Sequence, residues 1–205
     1  MGLMLNDLLD FLFPTKCAVC GALPSPVCPG CIPLTKSVRA NFEGLPLWYS
    51  VEYSDEIAAL LKAYKDSSRI SLVPCLSGLW GLGLNEAIAE LEPEQITSPP
   101  RNKQNYKKRG FDPVGKLLGD IAGPAGKRDS RLIQLKRSTV DQRKLGASDR
   151  RLNVAGSMFC RPGNGTVLLV DDVMTTGATL SECIRSLQVA GYQVLGICVL
   201  AKRIL

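Results

Sequence analysis

Four consecutive branched apolar residues, Val167-Leu168-Leu169-Val170, followed at once by Asp171 and Asp172, limit what this chain can fold into more than any other stretch of it. Such a run, entered from Thr166, suits a strand buried on both faces, the situation of a central strand in a parallel sheet covered by helices. Two carboxylates do not belong in that core, so the strand is expected to end at Val170 and to present both acids at its carboxyl end. The flanking sequence alternates in the same sense. Residues 47–53 (LWYSVEY) read as a strand, and Asp55 as the cap of a helix whose Ile57, Leu60, Leu61 and Tyr64 recur at i, i+3, i+4 and i+7. A second helix is predicted over 71–91, with Pro74 in its first turn, and short strands over 95–98 and 131–136. Between these, residues 113–122 carry Asp112 at the N-cap, proline at the first helical position and a stripe of Val114, Leu117, Leu118 and Ile121. A further helix enters after 175–179, buries Leu180, Ile184, Leu187 and Ala190, and ends at Gly191 before a strand over 193–200. The expectation is an α/β fold, a mainly parallel sheet flanked by helices.

Ligands of such sheets bind at the carboxyl ends of the strands. After the two acids the chain reads Val173, Met174, Thr175, Thr176, Gly177, Ala178, Thr179: small and hydroxylated residues leading into a helix. A phosphate there would meet backbone N–H groups, the positive end of the helix and up to three threonine hydroxyls, with Gly177 letting the backbone come close. Carboxylates repel phosphate, so the acids must serve another part of the ligand. Vicinal ribose hydroxyls donate to carboxylates, and the same pair suits a hydrated Mg²⁺ held between sugar and diphosphate. The GK[ST] ending of a P-loop is absent, and no GxGxxG sits at this turn.

Cys17, Cys20, Cys28 and Cys31 form two CxxC pairs joined by a segment rich in proline and glycine. Each CxxC turn aims two thiolates at one centre, and two turns complete the closed tetrahedral shell of structural zinc. A redox or disulfide pair is the alternative. Cys75, Cys160, Cys183 and Cys198 read as small core residues. Residues 1–45 are then a metal-dependent appendage, too small to fold alone, and 46–205 the main domain. The first fourteen residues are apolar, interrupted by Asp7 and Asp10 and without a basic leader, which points away from a secretory signal and toward a short amphipathic helix packed on its own domain or a neighbour. Pro74 and three glycines break the 72–84 region, so no stretch is expected to cross a bilayer, and the expected location is the cytoplasm.

The formal charge of +6 is unevenly placed: KQNYKKR occupies 103–109, and nine further Lys and Arg residues fall within 127–151. Both stretches read as solvated surface, or as two walls facing one polyanionic ligand. The second alternative is the one that the acid pair and the turn after it favour.

The segment VLLVDDVMTTGATL resembles the signature of type I phosphoribosyltransferases, and the chain around it resembles the ComF family of competence-associated, amidophosphoribosyltransferase-like proteins. The resemblance spans the four-cysteine ribbon, Tyr64 and Lys65 in KAYKD, KKRGF at 107–111, and the set Arg137, Thr139, Gln142, Leu145, Arg150, Asn153 and Gly156. It implies a type I phosphoribosyltransferase-like fold that binds phosphoribosyl diphosphate with Mg²⁺ and passes the phosphoribosyl group to a nitrogen nucleophile. It implies that Asp171 and Asp172 hold the ribose, that 175–179 hold the 5′-phosphate, and that 99–109 approach the diphosphate. Arg101, Lys107 and Arg109, with Arg137 or Arg143 from a lid over 137–153 that also carries Gln142, would then stabilise the leaving diphosphate. With no histidine in the chain, Asp172 is the first candidate for a general base. The chain departs from the family at RGFDP, where RGFNQ is usual, and at Thr97-Ser98-Pro99-Pro100, where VPVP is usual. A competence link also admits another class of function: a non-catalytic sensor of phosphoribosyl diphosphate or a nucleotide, or an accessory protein that binds single-stranded DNA during uptake or recombination.

Overall fold

The computed structural model describes residues 15–33, 35–121, 131–136 and 155–204. The amphipathic leader and the 137–153 segment, with Arg137, Gln142 and Arg143, lie outside them. The main sheet has five strands in the order β1-β2-β7-β6-β3, where β1 is Val38–Phe42, β2 Leu45–Glu52, β3 Gln95–Thr97, β6 Thr166–Met174 and β7 Gln193–Lys202. Only β1 runs antiparallel to its neighbour; β2, β7, β6 and β3 are parallel. A separate antiparallel pair joins β4 (Ile133–Leu135) to β5 (Met158–Cys160). The 131–136 strand is therefore present but outside the parallel sheet, and β1 belongs to the sheet although it lies inside the segment read as appendage.

Val167, Leu168, Leu169 and Val170 are each 0% exposed, as the apolar run requires. Leu168 and Val170 pack on one face with α1 (Asp55–Asp66), α2 (Val73–Leu91) and Leu117 of α4 (Pro113–Asp120). Val167 and Leu169 pack on the other with α5 (Ala178–Val189) and the β4–β5 pair. Ile57, Leu60, Leu61 and Tyr64 form the buried face of α1, but its cap is Ser54, whose hydroxyl accepts from Ile57 N. Asp55 instead opens the first turn, where its charge suits the helix dipole.

Preceded by a 3₁₀ turn at Ile70–Leu72, α2 forms a continuous stretch from Ile70 to Leu91 that is long and apolar enough to cross a membrane, contrary to the reading of Pro74 and the glycines as a break. Pro74 lies in the first turn, where its missing N–H breaks no helical bond, and 61% of the most apolar stretch is buried inside the fold, as befits a core helix. Cys183 and Cys198 are buried, as expected, whereas Cys75 and Cys160 are only half-buried.

Candidate functional site

The strand β6 does not stop at Val170. Its partner β7 continues alongside it, pairing Asp171 with Val199 and Met174 with Lys202, so the backbone beyond Val170 stays in the sheet. On the other side β3 ends at Thr97, opposite Leu169. That shortfall opens a notch in the sheet edge, and the two acids sit at it.

Asp172 is 8% exposed and forms an ion pair with Lys65 of α1. Its N–H donates to Asp171 Oδ1 at 2.8 Å. Burial, and then the neighbouring charge of Asp172, push the Asp171 carboxyl up to about 7, against the opposing pull of Lys65 and the Asp172 N–H. Lys65, Arg101, Arg109 and both acids line one cleft of about 150 Å³. Four of the expected site residues from three separate elements thus meet Asp171 in one place. Lys107 lies apart from them, on the wall of a neighbouring cavity of about 900 Å³.

Two of the cations are held by acids to which the sequence reading gave no such role, Arg109 by Asp66 and Arg101 by Asp112. Residues 103–109, taken as a basic stretch, form the helix α3 (Lys103–Arg109), capped by Asn102, whose Oδ1 accepts from Gln104 N at 2.9 Å and Asn105 N at 3.1 Å. Asn102 before a helix-forming run is a visible cap signal; what hid the helix is the lack of an apolar stripe. Arg109 Nη2 donates to Asp66 Oδ1 at 3.2 Å, and Arg101 lies 3.5 Å from Asp112 Oδ2 with its guanidinium 4.9 Å from the Tyr106 ring centre. Asp112 occupies the N-cap position of α4 as predicted, yet its side chain makes no cap hydrogen bond. Its carboxylate faces Arg101 instead. Tyr64 donates to Pro113 O at 2.8 Å, and its ring lies 5.3 Å from that of Phe111.

The turn after β6 has the expected outline. Thr175 and Thr176 lead to Gly177, and α5 begins at Ala178 with Thr179 in its first turn. Thr176 Oγ1 accepts from Ala178 N at 3.4 Å. Gly177 has φ +77 and a Cβ there would lie 2.4 Å from Phe42 Cζ, so glycine is required by backbone shape and by a packed ring rather than by an approaching ligand. Val173 packs partly buried against the α1–α2 core, and Met174 is buried on the α5 side. Neither cavity described above is lined by 173–179.

A second centre lies in the ribbon. The four sulfurs of Cys17, Cys20, Cys28 and Cys31 lie within 4.8 Å of one another, and Cys20 Sγ is 3.6 Å from Cys28 Sγ. That spacing is too long for a disulfide and close to the edge of about 3.8 Å of a tetrahedron with zinc–sulfur bonds of about 2.3 Å. Cys17 Sγ accepts from Val19 N at 3.4 Å and Cys28 N at 3.5 Å, the environment of a thiolate. The donor set fits a zinc ribbon.

A family model described as Phosphoribosyl transferase domain matches residues 125–204, the stretch from before β4 to the end of β7 that contains both acids and the turn after them. No curated protein matches the chain. The fold is thus α/β with a mostly parallel sheet, and its C-terminal part is similar to a phosphoribosyl transferase domain. Lys65, Arg101 and Arg109 lie outside the matched stretch and reach the acids only through the fold.

Proposed function

We propose that the chain binds phosphoribosyl diphosphate and transfers its phosphoribosyl group to a nitrogen nucleophile. The observation that carries this reading is the meeting of Asp171 and Asp172 with Lys65, Arg101 and Arg109 in one cleft. Acids and cations suit opposite ends of one ligand: the acids accept from the ribose hydroxyls, and the cations face the diphosphate. The turn at 175–179 offers N–H groups and hydroxyls to the 5′-phosphate.

In the transfer, the acceptor nitrogen lone pair forms a bond to ribose C1 while the bond from C1 to the diphosphate oxygen breaks. The electron pair leaves with the diphosphate, and the proton lost by nitrogen passes to Asp172 or water. Arg101 and Arg109 stabilise the charge that gathers on the leaving group, and the acids lie beside the positive charge that develops on the sugar. Mg²⁺, for which the two acids are a fitting donor set, would supply further neutralisation of the diphosphate. The proposal places the zinc ribbon at the start of the chain and the transferase-like domain after it, with β1 in the latter.

Calorimetric titration with phosphoribosyl diphosphate and Mg²⁺ is expected to show one binding site that Asp171→Asn/Asp172→Asn abolishes. Absence of heat in the wild type would end this reading. Diphosphate release in the presence of ammonia, amines and free bases separates a transferase from a sensor of the same ligand.

A further inference from the structure

Next to the cleft of the acids, and sharing Arg101 and Tyr106 with it, lies the cavity of about 900 Å³. The loop after β3 and α3 form one wall, and β4 with its flanks forms the other. Among the described residues its charged lining consists of Arg101, Lys103, Lys107, Arg131 and Lys136, with no carboxylate. Lys103 and Lys107 are one helical turn apart and share a face of α3. Among the described residues, Lys103, Lys107 and Lys136 have no acidic partner. Between the charges the surface is apolar: Ile133 is buried, and Leu135, Pro99 and Pro100 are half-buried.

Lys103, Lys107 and Lys136, gathered without an acid among the described residues, repel one another until an anion enters. A diphosphate at the acids is met by Arg101 and Arg109, which line that cleft. Lys103 and Lys107 on one wall and Lys136 on the other remain around an apolar surface. The volume falls in the range of about 300–1,000 Å³ usual for small-molecule sites. A nucleic-acid track would need a series of stacking rings, and among the described residues this lining offers Tyr106 alone, with Arg101 already over it.

From this we infer that the larger cavity holds the acceptor, and that the acceptor is a nitrogen compound with an apolar body that carries its own carboxylate or phosphate. The assignment rests on the phosphoribosyl diphosphate reading above and names the second substrate that this reading leaves open.

The test uses the full chain saturated with phosphoribosyl diphosphate and Mg²⁺, titrated with probe pairs that differ only in the anionic group: orotate against uracil, and 4-aminophenyl phosphate against 4-aminophenol. The anionic member of at least one pair is expected to bind roughly tenfold or more tightly than its neutral partner. Which pair responds tells carboxylate from phosphate. Lys103→Glu/Lys136→Glu, at two exposed positions, is expected to weaken that probe roughly tenfold while the affinity for phosphoribosyl diphosphate stays unchanged. Equal binding of the neutral members, or no binding of any of the four probes, overturns the inference. An equal loss of phosphoribosyl diphosphate affinity in the double variant also overturns it and returns the cavity to the diphosphate. So does a single-stranded oligonucleotide that displaces the probe with steep salt dependence. If the wild type fails to bind phosphoribosyl diphosphate before any probe is added, the underlying reading falls and takes the inference with it.

Discussion

Asp171 works against its surroundings. With burial and the charge of Asp172 pushing its carboxyl up to about 7, it is protonated in the fold over a range where it would be ionised in the unfolded chain. The folded state then binds the extra proton between about pH 4 and pH 7, so stability contributed at this residue falls as pH rises through that window. Ligand binding has the opposite sign, because ribose hydroxyls and Mg²⁺ both call for the ionised carboxylate. Affinity for phosphoribosyl diphosphate with Mg²⁺ is expected to rise with pH up to about 7 and then level off, as read by calorimetry across that range. Lys65→Met removes a cation that opposes the shift, so its affinity profile should move to higher pH; an unmoved profile would deny Lys65 that influence. Gly177 is constrained in another way. Gly177→Ala must adopt a left-handed φ and displace Phe42, and is expected to cost about 2 kcal/mol or more in urea unfolding. The need for a glycine there was legible in the sequence, but its reason was not, since Phe42 lies 135 positions earlier (177 − 42) and only the fold brings it over the turn.

Elements buried on both faces could be read directly from composition. β6, β7 and the buried faces of α1 and α5 follow from apolar runs and helical periodicity, which record contact with a core. β1, β5 and α3 leave no such record. The first is an edge strand, the second is three residues long, and α3 has no buried residue at all. Their existence depends on neighbours distant in sequence, and α3 in addition on its cap. Asn102→Ala should therefore remove about 1 kcal/mol of stability and loosen the helix that carries Lys107 and Arg109. The check is a melting curve paired with a phosphoribosyl diphosphate titration. A several-fold weaker ligand with little change in melting would mean that α3 contributes mainly by aiming its cations. The helix α1 has a comparable duty at its last turn: Tyr64 holds α4, Lys65 holds Asp172 and Asp66 holds Arg109. Those three successive residues point in different directions around the helix, which is why the periodic pattern that marked Tyr64 passed over Lys65 and Asp66.

At the scale of the molecule, the ribbon bears on this same turn of α1. Val27 is buried in the core cluster of α1 and α2, with Ala18, Val19 and Cys31 packed against it, and Arg69 donates to the carbonyl of Lys16, next to the first metal ligand. Arg69 lies three residues beyond Asp66, so the ribbon buttresses the segment that positions Lys65 and Asp66. A ribbon of this size draws its folding energy from the metal. Removing zinc with a chelator is expected to expose Val27 and the core beneath it, and to lower the melting temperature by about 2–4 °C for each ~1 kcal/mol lost. Because the sheet is held by β6, β7 and their own two cores, far-ultraviolet dichroism should change little. Affinity for phosphoribosyl diphosphate should nonetheless fall, since α1 loses its support next to the acids. Arg69→Ala separates the two effects: zinc content should be retained while part of the affinity is lost. If chelation lowers the melting temperature and leaves ligand affinity untouched, the ribbon stabilises the core without reaching the site, and the path through Arg69 and the end of α1 carries nothing.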